Sequence, residues 1–65
     1  MFRYYLEARP PSIGCQPNGT INIVDYGQKK YVEEIDREVW GHVEYEKLLS
    51  ARQIRDYELI EEVWN

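Results

Sequence analysis

One cysteine, one histidine and one methionine are spread over 65 residues. A lone Cys15 excludes an internal disulfide, and Cys15 with His42 would make a closed zinc site only by recruiting carboxylates. No stretch approaches the roughly 20 apolar residues of a membrane span. The segment Met1–Ala8 also lacks the basic region and apolar run of an export signal. An unpaired thiol without an export signal points to a reducing compartment, so the cytoplasm is the expected location. Positive charge is short as well: 12 Asp and Glu oppose 8 Lys and Arg, a formal charge of −4. Such a chain has no net field to draw in a phosphate backbone, so direct nucleic-acid binding is disfavoured.

What the chain does have is apolar mass, 43% hydrophobic and 14% aromatic. Residues 1–65 are enough for one domain, and without crosslink or ion its core must be held by aromatic and branched side chains. Self-association would supply further burial and is left open. Charge is uneven within this unit. Residues 1–30 carry four cations against two carboxylates, whereas residues 31–65 carry ten carboxylates against four cations.

Met1–Ala8 alternates, with Phe2, Tyr4, Leu6 and Ala8 on one side and Arg3, Tyr5 and Glu7 on the other, which predicts a half-buried strand. Pro10 and Pro11 end it, since proline has no amide to give to a ladder. After the Asn18-Gly19 turn signal, the β-branched run Thr20–Tyr26 predicts a second strand ending at Gly27, with a polar turn at Lys29-Lys30. Tyr31–Ile35 suits either a helical turn or a strand. Glu38–Glu46 alternates again, placing Val39, Gly41, Val43 and Tyr45 opposite Trp40, His42, Glu44 and Glu46. Gly41 within that strand marks a bulge or a close approach to the backbone. Ser50 and Gln53 have the spacing of a capping box, which starts a helix near Ala51. Leu59–Trp64 either prolongs that helix or runs extended along the sheet edge.

Catalytic constellations are wanting. No Gly-x-Ser-x-Gly elbow surrounds Ser12 or Ser50, and no support links Cys15 to His42 as nucleophile and base. The four glycines form no phosphate loop. Metal-ligand spacing is missing among Asp25, Asp36 and Asp56, and no cofactor is implied. The chain therefore reads as a non-enzyme. Two features could serve a protein partner. The loop Arg9–Pro17, with Pro10, Pro11, Ile13 and Gln16, is semi-rigid and apolar, although a crossover packed on the strands is its favoured role. Trp40 and His42 lie opposite the core face of their strand and become an anchor if nothing covers them; the helix or Val63-Trp64 would be the cover. The carboxylates Glu33, Glu34, Asp36, Glu38, Glu44 and Glu46 could form one acidic face mimicking nucleic acid. Their simpler role is solubility.

The segments Arg9–Pro17, Trp40–Tyr45 and Leu49–Leu59 together resemble small uncharacterised proteins of Gram-positive (Firmicutes) bacteria and their mobile elements. The resemblance spans most of the chain and implies a cytoplasmic protein of mobile-element context, with no activity attached to any residue. The fold expected is α+β: a small antiparallel sheet of three or four strands, Phe2–Ala8 beside Glu38–Glu46, with one short helix packed on it. The function expected is a protein-interaction accessory module. The rival is an acidic, nucleic-acid-mimicking inhibitor of a host defence or regulatory protein.

Overall fold

Alternation in Phe2–Leu6 (β1) and Arg37–Tyr45 (β3) brings the two together antiparallel, with Phe2 opposite Tyr45, Tyr4 opposite Val43 and Leu6 opposite Gly41. The computed structural model describes residues 1–12, 14 and 16–62. Thr20–Val32 (β2) flanks β3, and Leu59–Glu61 (β4) flanks β1, so the sheet order is β2-β3-β1-β4 with every pair antiparallel. With Ala51–Asp56 (α1), the one helix among the described residues, this is the α+β architecture read from the pattern.

One face of the sheet is the core. Tyr4, Leu6, Val43, Tyr45 and Leu59 are buried there, and Phe2, Leu49 and Ile54 pack on them. The rings of Tyr4 and Tyr45 meet edge-on at 5.9 Å. Their hydroxyls fasten the surrounding loops: Leu49 donates its amide to Tyr4 Oη at 2.9 Å, and Tyr45 donates to the Pro17 carbonyl at 2.7 Å. Ser50 accepts from the Gln53 amide while Gln53 accepts from the Ser50 amide, completing the capping box. Of α1, only Ile54 reaches the core.

The β1–β2 crossover packs on the same face. A side chain at Gly41 would collide with the Val24 carbonyl and come within 2.7 Å of Pro11 Cγ. Gly41 thus marks the close approach that its place in a strand predicts.

Two expectations need correction. β2 does not end at Gly27, and Lys29-Lys30 is not the turn. Gly27, at φ 77°, sits in a register shift between Asp25 and Lys30, and its amide donates to Asp25 Oδ1 at 2.8 Å. A glycine at positive φ here makes a bulge, after which the strand resumes. The reversal comes at Glu33–Asp36, where the Asp36 amide donates to the Glu33 carbonyl at 3.2 Å. Tyr31 closes this hairpin by donating to Asp36 Oδ1. The ambiguous Tyr31–Ile35 is therefore half strand, half turn. The chain after α1 runs extended as β4, while the rest of that reading, Val63-Trp64, lies outside the described residues. No helix among the described residues is long and apolar enough to cross a membrane.

Candidate functional site

The face of the sheet opposite the core follows from the same alternation. Arg3 and Tyr5 on β1 lie opposite Glu44 and His42 on β3, and Asn22 and Val24 on β2 lie opposite the same two residues. Among the described residues, Pro11 of the crossover and Ile54 of α1 are both committed to the core side. Beyond Gly27 the bulged strand lays Lys29 over the Trp40 ring, 5.7 Å from its centroid, and Lys30 over Tyr26 at 5.8 Å.

Charges and rings on this face are tied to one another. Glu44 accepts from Arg3 at 3.2 Å and from Asn22 at 2.9 Å. The Asn22 bond foremost, then Arg3, holds the Glu44 carboxyl below the usual range. His42 Nδ1 is 2.7 Å from Tyr26 Oη, and the rings of Tyr5 and Tyr26 meet the imidazole edge-on at 6.0 and 5.6 Å. Burial pushes His42 below its ordinary value and the Arg3 charge pushes the same way, against Glu44 and Glu62. Burial likewise raises the phenols of Tyr5 and Tyr26, and Tyr5 donates to Glu62 Oε1 at 3.2 Å. At neutral pH His42 is thus uncharged and both phenols keep their protons. A cleft of about 250 Å³ opens beside this network, where Arg3 and Lys30 face Glu33 and Glu34 across Tyr5 and Tyr26.

The residues singled out in the sequence are dispersed by the fold. Pro10 is exposed, whereas Pro11 is buried against Gly41 and Gln16 is only 7% exposed, its Nε2 without a partner among the described residues. Ile13 lies outside the described residues. Within the described part of the crossover, Pro11, Gln16 and Pro17 are buried, whereas Arg9, Pro10, Ser12 and Gly14 are exposed. His42 is buried under the rings that surround it, so of the strand pair only the half-buried Trp40 meets solvent. Glu33, Glu34 and Asp36 are exposed in the hairpin turn and Glu38 just after it; Glu44 is buried; Glu46 lies at the other end of β3. At about 3.3 Å per residue, Glu38 and Glu46 are roughly 26 Å apart. Glu44 is committed to Arg3 and Asn22, and of the carboxylates outside this set Glu7 pairs with Arg37, Glu58 with Arg9 and Asp56 with Arg52. Among the described residues no three His, Cys, Asp or Glu gather to hold a metal ion.

Sequence reasoning passed over Arg3, Tyr5, Asn22, Tyr26, Lys29, Lys30 and Glu62. The signal for Arg3 and Tyr5 was present, because two strands that pair through their apolar sides must also bring their polar sides together. The lysines were hidden by the assignment of a turn to the bulge.

A family model described as Defence against restriction A C-terminal matches residues 1–62. The chain belongs to that family, which is associated with phages and mobile elements. Neither the curated proteins nor the solved structures contain a match.

Proposed function

From that membership we propose that this defence-related accessory domain works by docking onto another protein through the sheet face that carries Trp40, with no chemistry of its own. The observation that carries the reading is the pairing of every titratable group at the centre of that face. His42 is held by Tyr26, Glu44 by Arg3 and Asn22, and Tyr5 by Glu62. Groups tied in this way make a rigid, pre-organised surface, which lowers the ordering cost of binding. An aromatic anchor supports the same reading: Trp40 is half-buried, braced by Lys29 and flanked by the exposed Glu38. Tryptophan in such a setting is the commonest kind of binding hot spot.

The chemistry of the adjacent cleft favours a protein over a nucleic acid as the partner. Its cations Arg3 and Lys30 face the carboxylates Glu33 and Glu34, an arrangement that suits a mixed polar chain and repels a row of phosphates. Glu44, committed to Arg3 and Asn22, offers less charge to a partner than the acidic-mimic reading asks of it.

Amide-shift mapping tests the proposal. Isotope-labelled domain is titrated with lysate of a host carrying the phage or mobile element. Shifts are expected at Lys29, Glu38 and Trp40 with α1 unmoved, and absent from the Trp40→Ala variant. Shifts confined to α1 or to Arg9 and Ser12 of the crossover, or none at all, would refute it.

A further inference from the structure

The two edges of the sheet are not alike. β4 has 3 residues, whereas β2 has 13 and is exposed along most of its length. Exposed edges of that length are usually protected by proline, lysine or a bulge. The second half of β2 has these, in Gly27, Lys29 and Lys30. Its first half has one register shift, between Thr20 and Asn22, but no proline or lysine; Ile21–Tyr26 has Asp25 as its single charge and leaves Ile21 and Ile23 47% and 38% exposed. Beside Ile21 opens a groove of about 400 Å³, walled by Tyr45, Leu48, Leu49 and Gln53. The exposed Leu48 forms its lip.

We propose that this edge pairs with the same edge of a second copy, antiparallel across a twofold axis perpendicular to the sheet at Asn22. The sequence of the edge is self-complementary in that register. Ile21 meets Ile23 of the second copy and Ile23 meets its Ile21, all on the core side, while Asn22 faces Asn22. Ile23 of each copy then stands at the mouth of the other's groove, which gives the groove its occupant. No like charges are opposed: Asp25 falls opposite Gly19, and the two Asp25 carboxylates are separated by about 20 Å, more than the Debye length at physiological salt. A twofold at Ile23 would instead set Asp25 against Ile21, with the carboxylate on the isoleucine. The paired copies form one eight-stranded sheet, with α1 of each on the same side and both Trp40 faces on the other. The dimer is thus independent of the docking face and leaves it free.

Sedimentation and cysteine crosslinking test this on the full chain. A concentration-dependent species of twice the monomer mass is expected, favoured by added salt because each copy carries −4. In a Cys15→Ser background, Asn22→Cys should crosslink to itself readily on mild oxidation, whereas Val24→Cys, opposite Thr20, should not. Ile23→Lys should give a monomer. Should that variant fold poorly, Ile23→Thr keeps a strand-forming residue and should weaken association about tenfold. A chain monomeric at all concentrations up to about 1 mM overturns the proposal. So does equal crosslinking at positions 22 and 24, or a dimer indifferent to Ile23→Thr.

Discussion

Gly41 carries more of this fold than its missing side chain suggests. Adding a methyl there forces either the β2 backbone at Val24 or the Pro11 ring to move, and neither is a flexible tip that gives way cheaply. Gly41→Ala should therefore cost at least about 2 kcal/mol in urea unfolding, the upper range for overpacking a closed site. A conservative cost, within a few tenths of wild type, would show that the crossover is not seated on β3. His42 and Glu44 give a second prediction at this scale. The folded state holds His42 below its ordinary 6.5, so the unfolded chain binds a proton first as pH falls. The His42 contribution is complete above about pH 6.5 and is lost as pH falls through its folded value. Glu44 acts in the same sense from about 4.5 downward. Melting temperature should decline from pH 7.5 to pH 5, and His42→Gln should flatten the part above pH 5. A wild-type curve flat across that interval would contradict the buried neutral imidazole.

At the scale of the elements, what could be read beforehand depended on whether the signal was local. The helix start was legible because both halves of the capping box, Ser50 and Gln53, lie within four residues of each other. Ser50→Ala should cost about 1 kcal/mol, measured by thermal or denaturant unfolding. The strands β1 and β3 were legible because period-two alternation is likewise local. The hairpin was not, since Gly27 and Lys29-Lys30 carry turn chemistry and only pairing with β3 decides whether such residues reverse the chain or bulge it. Glu58 shows the reverse case, a non-glycine at φ 54° directly before β4. Its exposed partner Arg9 is too solvated to repay that conformation. Glu58→Gly should raise stability by about 0.5–1 kcal/mol, and a fall in melting temperature would refute the assignment.

For the whole molecule, the sheet separates two tasks. One face is spent on the core, with the crossover and α1 as its cover; the other carries a network of paired charges and rings whose centre, Tyr5, His42 and Glu44, is buried, with Trp40 half-buried beside it. The candidate site was half legible, for alternation set Trp40 and His42 apart from the core but gave no hint that Tyr5 and Tyr26 would enclose the histidine and leave the tryptophan alone at the surface. The central claim is that this family member acts by presenting the Trp40 face to a protein. A photo-crosslinking amino acid placed at position 40, and in parallel at exposed Tyr57 near α1 on the core side, tests it in host cells carrying the element. The account predicts one discrete protein adduct from position 40 and none from position 57. Equal labelling from both positions, or adducts to nucleic acid in place of protein, would contradict it.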